Sequence, residues 1–320
     1  MKDFVSREAA LNATRKLHIG QDWDKECTKH VKRLLARDED GNLLPKARVF
    51  TRTGETGGVM LVGAPGSGKT HLAHQTLFKI PELSESTVDT RRRITCSVPS
   101  PATFKSMTLA LLKESGYQDA NPRQEAWSLW DVFRHRLGVL GVAVLWIDEA
   151  HDLFCADSKK ILRAFKTLMQ GDNAVAVVLS GTHELADVVR PDEELRRRFT
   201  TMELPKIVEN IHGDMYREIM KNYCGRVGLE PPVEADLMGR VFHSARYRFG
   251  SAVELLLMAM ECAIEDESDY LTIDHFASAY AMNEACPASE NVFYVDNYHG
   301  LDPDRADNAF SSRRRPKRRG

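Results

Sequence analysis

Between residues 58 and 204 the chain alternates two hydrophobic patterns. Short, nearly unbroken apolar runs stand at 59–62, 142–147 and 174–179, with more mixed strand candidates at 94–98 and 200–204. Between them apolar residues recur at helical spacing. A helix is expected over 69–79, another on Phe104, Met107, Leu111 and Leu112, another on Trp127, Trp130, Val132, Phe133 and Leu137, and one more on Ile161, Phe165 and Leu168. Strands apolar throughout suit a sheet covered on both faces, since successive side chains point to opposite sides. The pattern predicts an α/β fold: a parallel five-stranded sheet flanked by helices.

The strands stop after Pro205. Four helical stretches follow, near 209–227, 233–245, 251–266 and 272–284. Thr272 is placed to cap the last, with Leu271 and Phe276 spaced as a hydrophobic staple. Ahead of the strands, residues 1–46 look helical. Trp23, Cys27, Val31, Leu34 and Leu35 share one helical face, and Asp38 to Asn42 supply a turn. The expected organisation is a helical extension over 1–46, a nucleotide-binding α/β domain over 47–206, a small all-α lid over 207–285 and an irregular segment over 286–320.

Composition adds a charge asymmetry. The 320 residues have a net charge of −2, yet the last ten carry six Lys/Arg and no acid. Without them 38 basic residues face 46 acidic ones, so an acidic body ends in a basic tail, which excludes a uniformly basic, histone-like protein. The six cysteines are scattered, with no zinc-like spacing. The longest nearly apolar run has 11 residues, 137–147, short of the ~20 needed to cross a bilayer. The N-terminus lacks an apolar signal region. A reducing, cytoplasmic location is expected.

Gly63-Ala64-Pro65-Gly66-Ser67-Gly68-Lys69-Thr70 fits the pattern G-x-x-x-x-G-K-[ST], directly after the first strand and opening a helix. Its glycines let backbone N–H groups turn inward around phosphates, and the helix N-terminus adds its positive end. Lys69 is expected to reach the β- and γ-phosphates of ATP, the Thr70 hydroxyl to bind Mg2+, and His71 to continue the nucleotide-binding stretch. The third strand ends in Asp148-Glu149. Asp148 is placed to hold the Mg2+ shell, largely through water, and Glu149 to polarise the attacking water. The fourth strand ends in Ser180-Gly181-Thr182. Either hydroxyl there can touch the γ-phosphate or its water; Thr182 is preferred, with an ordinary helix cap as the competing role. Before the fifth strand stands Leu195-Arg196-Arg197-Arg198-Phe199. Three adjacent arginines usually mark a solvated face, but at the domain edge they also suit an arginine finger. Asp148-Glu149-Ala150-His151 spells the DEAH box of certain helicases. No second strand–helix alternation follows, so His151 is taken as a neighbour of the site.

The order of P-loop, Asp-Glu, polar strand end, Arg-Phe and helical lid resembles an AAA+ ATPase. Within that superfamily it is similar to the TniB/TnsC/MuB group of transposition regulators. The matching stretches begin at Gly58, Leu145, Val177 and Glu194 and span roughly 45–285. The resemblance implies a DNA-dependent regulator of transposition. Subunits with ATP would assemble on double-stranded DNA as a ring or filament, recruit a transposase with or without a target-selection protein, and disperse on hydrolysis. It carries the finger onto Arg198, with Arg197 in reserve. The lid sensor arginine expected three residues after Gly250 is replaced by Val253; either Arg246 or Arg248 substitutes or the lid senses nucleotide poorly, and the role is left unassigned.

Phosphate contacts need Lys/Arg without base specificity. Lys105, Lys113 and Arg123 lie between the second and third strands, where initiator-type relatives often meet DNA, though for any one of them an exposed helix charge is the simpler explanation. The tail from Arg313 to Arg319 is basic but has no interleaved aromatics for stacking on single strands. Two other readings are a secretion- or membrane-linked AAA+ ATPase and a replication initiator or helicase loader. Against the first, no membrane-spanning or peptidoglycan-binding segment is found. Against the second, the 36 residues after Glu284 are too few for a winged helix.

Overall fold

The computed structural model describes residues 2–84 and 90–304. The basic tail falls outside them. In chain order the elements begin with α1 (Lys2–Thr14), α2 (Asp22–Arg33), β1 (Leu35–Arg37) and β2 (Leu43–Ala47). β3 (Gly58–Val62), α3 (Lys69–Lys79), β4 (Arg93–Ser97), α4 (Phe104–Glu114), α5 (Ala126–Leu140) and β5 (Val144–Asp148) follow. Next come α6 (Phe154–Leu168), β6 (Ala176–Gly181), α7 (His183–Val189), α8 (Glu193–Arg198) and β7 (Phe199–Glu203). The last four helices are α9 (Glu209–Val227), α10 (Leu237–Ser244), α11 (Phe249–Glu265) and α12 (Ile273–Glu284).

The α/β unit comprises residues 20–65 and 69–204. Its five strands are all parallel, in the order β4-β5-β6-β3-β7. Alternation along the strands builds two cores. Met60, Val62, Leu145, Ile147, Val177 and Leu179 pack on one face with Phe104, Trp130, Phe133 and Phe165. Val59, Leu61, Val144, Trp146 and Val178 pack on the other with Cys27, Val31, Leu72 and Leu77. The unbroken apolar runs of β3, β5 and β6 are therefore explained: each of these strands supplies both layers, whereas β4 feeds only the first, through Ile94 and Cys96.

The segment before β3 differs from the helical expectation. Residues 35–37 and 43–47 form an antiparallel two-stranded hairpin around the predicted turn. Arg37 donates to the Gly41 carbonyl at 2.6 Å, and Asp38 accepts from the Asn42 amide at 2.8 Å. These local bonds close a hairpin where hydrophobic spacing alone reads as helix.

The helical unit comprises 2–19 and 205–304 of the described residues, with the loop residues 66–68. Residues 1–46 thus do not act as one extension. α1 packs on α9 and α11, burying Leu11. Arg7 donates to the carbonyls of Val227 and Gly228 at 3.1 and 2.8 Å, at the end of α9. Arg15 pairs with Glu261 of α11 at 2.6 Å. Thr272 caps α12, and both Leu271 and Phe276 are buried as the staple requires. Residues 287–304 lack regular helices beyond single 3-10 turns, yet they are packed. Val292 and Phe293 are buried, and buried Arg240 donates to the carbonyls of Val292 and Val295 at 2.6 and 2.8 Å.

Candidate active site

In a parallel sheet, ligands gather beyond the carboxyl ends of the strands, where neighbouring connections diverge. β6 lies between β3 and β5. The register sets Val62 beside Gly181 and Ile147 beside Leu179, so three strand ends finish level. From β3 the chain turns through Gly63–Gly68 into α3. Gly66 and Gly68 hold φ of +76° and +95°, a conformation that side chains resist. β5 delivers Asp148, and β6 delivers Ser180.

These residues meet in one chain of contacts. The Thr70 hydroxyl donates to Oδ2 of Asp148 at 2.7 Å. The other carboxylate oxygen, Oδ1, accepts from the Ser180 hydroxyl, and Ser180 Oγ in turn accepts from Trp146 Nε1 at 2.8 Å. Asp148 is buried, and Ser180 fully so. The carboxylate is thus fixed from behind by a serine and an indole in the sheet, with its other oxygen turned to the P-loop threonine. Sequence reasoning had Ser180 as an alternative γ-phosphate contact; the structure makes it the support of Asp148. Trp146 was missed. Its signal was an indole inside an otherwise aliphatic strand, since a buried indole N–H needs an acceptor.

Lys69 is buried, and its Nζ donates to the carbonyls of Gly63 and Ala64, both at 3.0 Å. Ser67 Oγ and Thr182 Oγ1 are buried with no hydrogen-bond partner. Thr182 is the N-cap residue of α7 but makes no capping bond. Buried hydroxyls without partners are rare and costly. At the ends of these strands they are free to meet phosphate oxygens, so the residues present fit a nucleotide with its metal ion. Glu149 is half-exposed at φ +52°, turned away from the strand path.

Arg198 departs from its expected role. Its side chain is 5% exposed, and Nη2 bonds Glu55 and Glu194, each at 2.6 Å. Nη1 donates to the Lys166 carbonyl at 3.2 Å. Lys166 adds bonds of 2.9 Å to Asp192 and Glu194. Burial lowers its ammonium pKa, but those two carboxylates outweigh burial and leave it raised. Arg198 is a bracket inside its own subunit, not an outstretched finger. Glu194 and Arg198 sit four apart on α8, and Leu195 shares the buried face; that spacing was the overlooked signal. Arg196 and Arg197 are exposed and make no ion pair among the described residues. Arg197 lines a cavity of about 270 Å3 with Arg33, Phe50 and Thr56. Gly58 and Thr200 also line it, which puts it at the start of β3 and β7, the sheet end opposite the P-loop.

Of the two candidate lid sensors, Arg246 is committed elsewhere. It pairs with Glu284 at 2.9 Å and Asp304 at 2.6 Å. Arg248 makes no side-chain bond to a described residue. Lys113 and Arg123 are exposed and Lys105 partly so. Lys105 and Lys113 stand about 12 Å apart along α4 at 1.5 Å per residue, and Arg123 lies in the α4–α5 loop.

Strand order, P-loop, acidic strand end and C-terminal helical region together define an AAA+ P-loop ATPase fold. Solved structures agree. The Aeropyrum pernix ORC1 protein, in complex with DNA, matches at a TM-score of 0.60 and 17% identity, covering 85% of this chain and 68% of that one. Cdc6p from Pyrobaculum aerophilum matches at 0.53 and 13%, covering 73% and 65%. The Thermotoga maritima RuvB branch migration motor matches at 0.50 and 17%, covering 88% and 73%. At such identities the likeness concerns the fold. A family model described as bacterial TniB protein matches residues 44–209, just over half of the chain. The protein belongs to the TniB family. No curated protein matches it. Among the described residues no helix is long and apolar enough to cross a membrane.

Proposed function

We propose that this protein is a Mg2+-dependent ATPase that binds double-stranded DNA, assembles with copies of itself and regulates DNA transposition by recruiting or activating a transposase. The observation that carries the ATPase half is the 2.7 Å contact between Thr70 and Asp148. It joins the P-loop hydroxyl to the acidic strand end, the two side chains that P-loop ATPases use around their metal ion. Mg2+ held there would neutralise charge on the β- and γ-phosphates. Lys69 and the loop amides bind the phosphates. Thr182 offers its unpartnered hydroxyl at the γ-phosphate end. Glu149 orients the attacking water and takes its proton. Family membership supports the transposition role, and the ORC1 relative solved with DNA supports a nucleic-acid partner.

The finger is assigned to Arg197. It is exposed and unpaired, whereas Arg198 is consumed by Glu55 and Glu194. A strand of five residues spans about 17 Å, so a residue at the start of β7 serves a neighbour's nucleotide better than its own. DNA phosphates would meet Lys105, Lys113 and Arg123 singly, which predicts sequence-neutral, salt-sensitive binding.

The test is co-sedimentation with duplex DNA in ATP or ADP, paired with ATPase assays of wild type and Glu149→Gln. ATP-dependent assembly, with Glu149→Gln assembling but not turning over, is the expected result. Equal assembly in ADP, or no ATP hydrolysis by the wild type, overturns the reading; wild-type turnover by Glu149→Gln overturns the role given to Glu149.

A further inference from the structure

His151 stands three residues past Asp148, and its ring is placed by three features. Nδ1 lies 3.4 Å from Oε2 of Glu149. Nε2 lies 3.8 Å from Oδ1 of Asp152. The ring also packs against Gly181, the last residue of β6. A methyl group at Gly181 would sit 3.2 Å from His151 Nδ1 and 3.3 Å from its backbone nitrogen. Gly181 has negative φ, so its backbone conformation does not demand glycine. The missing side chain makes room for the imidazole. The His151 side chain is 16% exposed, and Nδ1 is buried with no completed hydrogen bond. That nitrogen lies beside the one carboxylate assigned to the attacking water.

We propose that His151 is a positioning residue that holds Oε2 of Glu149, so that Oε1 alone faces the attacking water. The proposal rests on the ATPase reading given above. Glu149 needs such a hold more than most carboxylates. Its backbone lies in the left-handed region at φ +52°, and its side chain is 48% exposed. Left to itself it would sample several rotamers in water. In the reaction the water oxygen bonds to the γ-phosphorus, and the bond from that phosphorus to the β–γ bridging oxygen breaks with its electron pair staying on ADP. The proton leaving the water goes to Oε1. Catalytic contacts that are long without substrate commonly tighten when it binds, and 3.4 Å is within that reach. Because the ring rests on Gly181, beside Thr182, the water-orienting carboxylate and the γ-phosphate contact share one wall.

The experiment measures kcat, KM and ATP affinity with duplex DNA present for His151→Ala, His151→Gln, Gly181→Ala and the double variant Gly181→Ala/His151→Ala. Glu149→Gln is the reference. Misplacing a reacting group by about 1 Å costs on the order of 100-fold, and loosening one carboxylate should cost on the order of 10-fold to 100-fold. His151→Ala should lose that much in kcat with ATP affinity unchanged. Gln, whose amide can still donate to Oε2, should restore most of it. Gly181→Ala keeps the histidine but displaces its ring and should repeat the loss. The double variant should be no worse than either single one, since both act through the same contact. Wild-type kcat in His151→Ala, a loss in affinity equal to the loss in kcat, or additive losses in the double variant would each overturn the proposal. If Gly181→Ala does not fold, the Ala and Gln variants of His151 decide alone. If Glu149→Gln turns over normally, the water-orienting role of Glu149 falls and this proposal with it; if the wild type does not hydrolyse ATP, the ATPase reading fails instead, which separates the two.

Discussion

Replacing Arg198 by alanine separates a bracket from a finger. The substitution removes two 2.6 Å bonds to Glu55 and Glu194 and one to the Lys166 carbonyl, and leaves both carboxylates without their shared guanidinium. Breaking a fully buried pair costs about 3–5 kcal/mol. Here Glu55 and Glu194 keep 27% and 38% of their side-chain surface in water, and Glu194 retains Lys166. Solvent screening therefore reduces the expected loss to roughly 2–3 kcal/mol. For a unit of this size each kcal/mol moves the midpoint by about 2–4 °C. Arg198→Ala should lower the first thermal transition of the apo protein by about 5–10 °C. Arg197→Ala, which removes an exposed and unpaired side chain, should leave it within about 1 °C. Calorimetry and urea unfolding of the two variants side by side make the measurement. An Arg198→Ala midpoint equal to wild type would refute the bracket.

Ser180→Ala takes a donor from Asp148 and an acceptor from the Trp146 indole. It should cost about 1–3 kcal/mol, and adding Trp146→Phe should recover part of that, read by urea unfolding. The thiols make another test. Burial raises Cys27 and Cys262 to about 11 and Cys96 and Cys224 to about 12. Mass spectrometry after brief iodoacetamide treatment at neutral pH should find these four unmodified in the folded chain and Cys286, only partly buried, modified. Since the folded values are raised, the thiols' contribution to stability is complete below about pH 9 and is lost as pH rises through 11 to 12. Unfolding midpoints followed across that window should fall.

The parallel sheet and its helices were legible because strands that feed two cores carry apolar residues at every position, and helices that cover them repeat at 3.6. Lys69, Thr70 and Asp148 were legible because a phosphate loop demands glycines and a lysine at fixed offsets. What escaped depends on partners distant in sequence. The support of Asp148 by Ser180 and Trp146 arises only when β5 and β6 lie side by side. The fate of Arg198 turns on Glu55, 143 positions away. The strands at 35–37 and 43–47 were hidden because the first continues the apolar spacing of α2, and their stabilising bonds are local and polar.

Attachment of α1 to α9 and α11 has a consequence for synthesis. The first helix leaves the ribosome well before its binding surface exists, since roughly 200 residues separate them. At about 5–20 residues per second the wait is on the order of 10–40 s. During it the α/β unit, whose strands and crossovers are contiguous, has time to form on its own. The helical unit must then close by recapturing its own leading end. A nascent chain stalled near residue 204 should therefore hold a protected sheet with α1 open to proteases, and one extended past α11 should protect both.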